Sequence, residues 1–169
     1  INGMRKTLHK ELLQRLNAEQ ETSKSQERFE LAMRGANDGL WDWNLKTGQI
    51  YYSPRWSEML GLPAVERVST IDEWTARVHP DDLQPTYDKV KSHLAGNDER
   101  FECLFRMRHQ DSRYRWILSR GFAVRDDMDQ PCRFIGINVD ISARMAAEEE
   151  IRKLSHAVEQ SPVPVLIAS

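Results

Sequence analysis

Carboxylates, thiols and an unusual supply of tryptophan are the side chains through which this chain could do chemistry. Two carboxylate groups stand out, Asp81-Asp82 and Asp126-Asp127-Met128-Asp129. Clustered acids can run acid–base chemistry or hold a hard cation. Asp81-Asp82 follows His79-Pro80 at a helix start, where acids favour the helix dipole without any further role. The second group falls between two strands and lacks the glycine and twelfth-position glutamate of a calcium loop. Cys103 and Cys132 form no Cys-x-x-Cys, so neither a zinc site nor a disulfide framework is indicated and reduced thiols are expected. No Ser/His/Asp grouping, nucleophile elbow or phosphate-cradling glycine loop is present. Trp41, Trp43, Trp56, Trp74 and Trp116 could stack a planar ligand or bases, and the interleaved Arg106, Arg108, Arg113, Arg115 and Arg120 would help the latter. Strand position accounts for both sets: aromatics pack a sheet, and arginines line its solvated face. A net charge of −2 gives no pull toward nucleic acid or an anionic membrane. Nothing in this inventory supports catalysis.

The elements that position these residues follow from turn signals and period. A chain of 169 residues, 40% hydrophobic and 30% charged, suits one domain with extensions. No apolar run nears the ~20 residues of a membrane span, and no signal-peptide core opens the sequence. A cytoplasmic location is expected, with any membrane anchor outside this chain. Residues 1–27 read as a helical connector, with Leu8, Leu12, Arg15, Glu19, Thr22, Gln26, Phe29 and Met33 at alternating four-three spacing. That seam is apolar only at its ends, so the helix needs a partner. Residues 28–142 carry the turns and aromatics, 143–158 form a second helical linker, and 159–169 begin something further.

Within the middle zone, Leu40 to Leu45 predicts a strand, turned by Lys46-Thr47-Gly48 into a second, Gln49 to Tyr52. Ser53-Pro54 caps a short helix that Gly61 closes. Thr70-Ile71-Asp72-Glu73 predicts a capping box opening a helix through Val78. His79-Pro80 opens a third helix, with Leu83, Tyr87, Val90 and Leu94 as its buried stripe and Gly96 at its end. The period then becomes two. Phe101, Cys103, Phe105 and Met107 mark the inner face of a strand, followed by strands from Tyr114 to Val124 and from Cys132 to Ile141. Two strands, short helices and three antiparallel strands make an α+β domain.

This order of elements resembles the PAS domain family, in the branch typical of bacterial signalling proteins. The resemblance rests on Asp38-Gly39-Leu40-Trp41-Asp42-Trp43, on Tyr52-Ser53-Pro54-Arg55-Trp56 running to Leu60-Gly61, and on His79-Pro80-Asp81-Asp82. It continues through Tyr114-Arg115-Trp116-Ile117-Leu118 to Gly136-Ile137-Asn138-Val139-Asp140-Ile141-Ser142, the family's PAC segment. It covers about two-thirds of the chain and implies a five-stranded antiparallel sheet in spatial order 2-1-5-4-3 with helices over one face. Leu154 to Pro162, followed by Val163 to Ile167, resembles the start of a second such domain. Tandem domains of this kind are usual in histidine kinases and in cyclic-di-GMP enzymes with GGDEF or EAL domains, and the tail is closer to the latter.

The resemblance also names a site. Comparison with the flavin-binding LOV branch places Asn138 where that branch has a pocket-facing glutamine, with Ile117, Ser119, Gly121 and Ala123 facing inward and Trp116, Leu118 and Phe122 outward. Phe134 and Tyr87 complete the expected pocket between the sheet and the long helix. A buried amide needs partners for both ends, from a ligand or from neighbours and water. No resident cofactor is expected. The LOV photochemical motif Asn-Cys-Arg-Phe-Leu-Gln is absent, which removes flavin–cysteine photochemistry. Haem-binding members use a histidine on the long helix, but His93 adjoins the apolar stripe instead of joining it, and capping suffices for His79.

Two readings of function follow. One is a dimeric relay that passes signals through the linkers to a distant output domain and to neighbouring PAS domains. The other is a sensor of a cofactor or metabolite, haem and flavin included, held between sheet and helix. Neither involves nucleic acid or direct membrane contact. Homodimerisation is expected through the terminal helices, using Leu8-Leu12 and Ala147-Ile151-Leu154-Val158. The joint between sheet and linker is expected at Asp140-Ile141-Ser142, similar to the family's Asp-Ile-Thr motif, with Ser142 as helix cap and Asp140 reaching a base such as Arg144.

Overall fold

The computed structural model describes residues 4, 10–21, 24 and 38–159. The chain divides into two units, Ile1–Asn37 and Asp38–Ser169. In the first, residues 10–21 form helix α1, exposed along its length, with Leu12, Leu13 and Leu16 on its surface. Of the N-terminal seam expected above, Leu8, Thr22, Gln26, Phe29 and Met33 lie outside the described residues. So do residues 160–169, on which most of the resemblance to a second domain falls.

The second unit is a single antiparallel sheet with helices over one face. Its strands are β1 (Gly39–Asn44), β2 (Ile50–Tyr52), β3 (Arg67–Ser69), β4 (Phe101–Arg108), β5 (Tyr114–Arg125) and β6 (Pro131–Asp140), in spatial order β3-β2-β1-β6-β5-β4. The sheet has six strands where five were expected. The addition is β3, a three-residue edge strand that pairs Arg67 with Tyr52 and Ser69 with Ile50. Without it the order is the expected one. Cys103 on β4 and Cys132 on β6 are free thiols separated by β5.

The helices are α2 (Pro54–Met59), α3 (Ile71–Thr75), α4 (Pro80–Leu94) and α5 (Ser142–Glu159). Ser53 caps α2, accepting from Trp56 N–H at 3.4 Å, and the same hydroxyl accepts from Leu40 N–H at 2.9 Å, tying the helix to β1. Gly61 follows α2 at φ +73, a left-handed position that glycine tolerates. Helix α3 is shorter than expected and ends at Thr75, not Val78. No capping box forms at its start. Thr70 bonds the Asp72 carboxylate, while Glu73 is drawn away to Arg67 at 3.1 Å and Arg77 at 3.7 Å. Val78 leaves the helix because it bridges to Met107 on β4, with His79 N–H donating to Arg106 C=O and Arg108 N–H to Arg77 C=O. This short splice covers an edge strand that would otherwise present open backbone groups.

The core lies between the inner face of the sheet and α2 to α4. Tyr52, Trp56, Phe105, Met107 and Ile117 are almost fully buried, and Tyr52 stacks on Trp56 at 4.0 Å. Along α4 the expected stripe of Leu83, Tyr87, Val90 and Leu94 is half-buried, whereas Thr86 and His93 are the residues fully inside. His93 therefore joins the core, against the expectation from periodicity. Its Nε2 accepts from Ala123 N–H at 3.1 Å and its Nδ1 meets the Asp98 carbonyl at 2.9 Å. The backbone bond to Nε2 leaves the ring proton on Nδ1, so both nitrogens are satisfied by a neutral imidazole.

At the other end of α4, Asp82 accepts from Arg106 through three bonds of 2.7 to 2.8 Å, one of them from the backbone N–H. These bonds hold the Asp82 carboxyl below its ordinary range, the Arg106 side chain being the largest cause. In a tight turn, Asp111 is held down to about 2, chiefly by the backbone N–H of Arg113. Both carboxylates are depressed in the folded state, so their contribution is present above the unfolded value near ~4 and lost as pH falls below it. Chemical denaturation at pH 7 and pH 3 should show a weaker fold at pH 3. Asp82→Asn should cost about 1–2 kcal/mol at pH 7 and less at pH 3. An equal loss at both values would mean that the charge on Asp82 does not matter.

A second prediction concerns glycine. A Cβ on Gly136 would strike the Arg120 carbonyl oxygen and the indole of Trp41. Gly136→Ala should destabilise the domain by about 1–3 kcal/mol in urea titration; a near-neutral effect would mean that both the indole and the Arg120 carbonyl on β5 give way to the methyl.

Candidate functional site

On the inner face of the sheet, β6 turns Phe134, Gly136 and Asn138 inward and β5 turns Ile117, Ser119, Gly121 and Ala123 inward, because alternate residues share a face. The register pairs Ser119 with Asn138 and Gly121 with Gly136. Two glycines side by side leave a gap in the side-chain layer, and Trp41 from β1 fills it. A Cβ on Gly121 would lie 2.9 Å from the Trp41 ring. Phe134 packs edge-on to the indole at 4.7 Å and Phe101 at 6.5 Å. This ring is the floor of a cavity roofed by Tyr87 and Val90 of α4 and walled by Trp56 and Trp74.

Of the six expected pocket residues, Asn138, Ser119, Phe134 and Tyr87 line this cavity. Ile117 and Gly121 share the inner face without lining it, the first closed over in the core and the second under Trp41. The expected pocket left out Trp41, Trp43 and Tyr52, which also line the cavity. Trp41 and Trp43 were legible only as aromatics able to stack a planar ligand, and nothing in the sequence singled out Tyr52.

Three polar atoms on the cavity's lining residues are buried without a hydrogen-bond partner: Asn138 Oδ1, Trp43 Nε1 and the Tyr52 hydroxyl. Asn138 and Tyr52 are each only 2% exposed. Burial pushes the Tyr52 phenol well above its ordinary pKa, helped by the charge of Glu73 and opposed by Arg77, so it stays a neutral donor. Lysine, arginine, histidine, aspartate and glutamate are missing from the lining. His93 packs against Phe134 and Phe101 at 5.5 and 6.0 Å between ring centres, with both nitrogens engaged by backbone. No group of three or more His, Cys, Asp or Glu among the described residues is placed to hold a metal ion.

The second expected feature, the joint, sits at the far end of the same two strands. Ile141 N–H donates to the Trp116 carbonyl at 2.9 Å, and Trp116 N–H donates to Ser142 Oγ at 2.8 Å. Ser142 begins α5 but spends its hydroxyl on β5, so it does not cap its own helix as expected. Asp140 takes the capping contact instead, its Oδ1 accepting from Ser142 N–H at 2.9 Å. Arg144 pairs with Glu148 one turn along and not with Asp140. The physical reason is reach: Asp140 and Ser142 share a tight turn, whereas Arg144 already points along the exposed helix face.

Comparison with known proteins places these features in a family. A model described as PAS fold matches residues 49–138. A sensory box histidine kinase/response regulator from Burkholderia thailandensis has a solved structure 33% identical, with a TM-score of 0.65, covering 79% of this chain and 99% of that one. The N-terminal domain of a diguanylate cyclase with PAS/PAC sensor from Marinobacter aquaeolei is 28% identical, with a TM-score of 0.55 over 64% of this chain and 98% of that one. Among curated proteins, Sensor protein FixL of Bradyrhizobium diazoefficiens is 27% identical over 129 residues, 75% of this chain but 25% of that protein. The chain spans a quarter or less of the length of the curated relatives it matches. With its sheet order, its helical face and its family match in agreement, the chain belongs to the PAS fold family.

Proposed function

We propose that this chain is the sensing and relay module of a larger signalling protein, passing the state of its inner cavity into helix α5. Its family is sensory and not catalytic, and its likeness to domains of a histidine kinase and a diguanylate cyclase supports a signalling role. The output is then a histidine kinase or a cyclic-di-GMP enzyme. Among the described residues no helix is long and apolar enough to cross a membrane.

One observation carries the relay. Strands β5 and β6 reach both the cavity and the joint. Asn138 on the cavity wall is two residues from Asp140, which holds the first N–H of α5. Ser119 is three residues from Trp116, whose N–H and C=O clamp Ser142 and Ile141. Any occupant that shifts the inner face of this strand pair must also move the anchor of the helix. The exposed row of Ile151, Leu154 and Val158 on α5 supports a second copy as the partner that carries the motion onward.

Two experiments test this reading. In the full-length parent protein, Ser142→Ala should uncouple the output from its stimulus while costing the domain only ~1–2 kcal/mol, and Ser142→Thr, which keeps the hydroxyl, should preserve regulation. Normal regulation in the alanine variant and in Asp140→Ala would reduce the joint to a strand end. Light scattering of the chain at rising concentration should show a dimer, weakened by Leu154→Lys. A monomer at high concentration would remove the second copy from the relay.

A further inference from the structure

We propose that His93 is a pH-sensitive latch, holding the C-terminal end of α4 to β5 while its ring is neutral and releasing it when Nε2 takes a proton. The inference goes beyond the relay proposed above and does not depend on it.

The latch follows from where β4 begins. Strand β5 runs on to Arg125, but its partner β4 starts only at Phe101, which pairs with Gly121. Ala123 lies past the end of that ladder, so β4 offers its N–H no acceptor. His93 supplies one: Nε2 accepts from Ala123 N–H at 3.1 Å, and Nδ1 meets the Asp98 carbonyl at 2.9 Å. A carbonyl only accepts, so Nδ1 carries the ring proton and Nε2 the lone pair. A second proton goes to Nε2, where it faces the Ala123 N–H. The bond is then lost, and a charged ring stands buried with a donor pointing at a donor.

The surroundings give that charge no counter-charge. His93 is 5% exposed. Strands β4 and β6 present the rings of Phe101 and Phe134, at 6.0 and 5.5 Å between centres. Strand β5 presents the Ala123 backbone and, beyond it, Arg125, a cation that donates to the Leu94 carbonyl at 2.9 Å. The loop after α4 presents Asp98, but its carboxylate is engaged by Ser92 Oγ at 2.6 Å and its carbonyl is what meets the ring. On α4 itself, Lys89 and Lys91 are exposed. The other described histidines differ. His79, His109 and His156 have carboxylate oxygens of Asp81, Asp111 and Glu159 at 3.7, 3.0 and 4.0 Å, so a proton gained there meets an opposite charge. Among the described residues, His93 is the histidine without such a partner.

While latched the ring holds one proton, and once released it is free to hold two. The closed state is therefore favoured at neutral pH and loses ground as pH falls through the ordinary imidazole value of about 6.5. Asp82 and Asp111, whose carboxyls are held low, change charge well below this window. The released end belongs to the helix whose Tyr87 and Val90 roof the cavity, so acid loosens that roof from one side.

The test uses the full chain. Nitrogen NMR of the His93 ring and the Ala123 amide between pH 7.5 and pH 5.5 reads the latch, and urea titration reads its cost. The Ala123 amide should shift together with the ring nitrogens, and the unfolded-to-folded ratio should rise several-fold, up to about ten-fold. His93→Gln keeps an acceptor for Ala123 and a donor for Asp98 but takes no proton. Its ratio should change less than about two-fold over the same interval, whereas His79→Gln and His109→Gln should keep the acid loss. An acid loss of equal size in His93→Gln overturns the proposal. So does an Ala123 amide that stays in place from pH 7.5 to pH 5.5, a reading on the native chain that decides alone if the glutamine variant does not fold.

Discussion

In the register that pairs β5 with β6, Gly121 faces Gly136, and the indole of Trp41 lies over the space these two residues leave. The period of a strand is two, so a slip of one residue would send Asn138 and Ser119 to the solvated face and bring Arg120 and Ile137 inside. Trp41 would then meet side chains where it now meets backbone. One register thus sets the floor of the cavity, its polar content and the position of Asp140 at the strand end. The flanking strands matter through what they add to this pair: Tyr52 and Trp43 from one side, Phe101 from the other.

Helix α4 is kept over the cavity by polar contacts at its two ends and not by its apolar middle alone. Asp82 grips β4 through the backbone and side chain of Arg106, while His93 accepts from β5 and Arg125 donates to the Leu94 carbonyl. Apolar burial is non-directional and would tolerate a helix displaced by a fraction of a turn. Hydrogen bonds to fixed backbone groups do not. The half-buried residues between, Tyr87 and Val90, line the cavity, and the Tyr87 hydroxyl is held to Thr75 at 3.2 Å.

The main architecture was legible because period, turns and motifs agreed over most of the domain. Phe101 to Met107 alternates cleanly, and Ser53-Pro54 and His79-Pro80 mark helix starts that the structure keeps. What escaped was decided by contacts distant in sequence. Strand β3 has only three residues, with Val68 exposed, so it carries no buried period to detect. Thr70 to Glu73 has the spelling of a capping box, but two arginines outside it compete for Glu73. His93 looked peripheral to its helix because the group that buries it, the N–H of Ala123, lies 30 residues away. In the site, Asn138 was legible through a family comparison, while the pairing of Trp41 with two glycines was visible only as isolated residue types. The exchange of roles between Asp140 and Ser142 was not readable at all, since either side chain can serve a helix start and only the nearness of Trp116 decides.

In the proposed relay, magnitudes bear on whether the joint at Trp116 can act as a switch. A single neutral hydrogen bond is worth about 0.5–1.5 kcal/mol net, and the start of α5 is held to β5 by two of them. Coupling between two sites in allosteric proteins is typically of the order of 1–3 kcal/mol. Breaking one or both clamps therefore changes the free energy of the helix anchor by about the amount that signalling requires. A larger interface would resist a small displacement of Ser119 and Asn138. A weaker one would leave α5 detached in both states. Helix α5 keeps an exposed face and buries no residue fully against its own domain, so its direction is set by these few bonds at its first turn. In the proposed relay, motion at the anchor would pass along the eighteen residues of this helix.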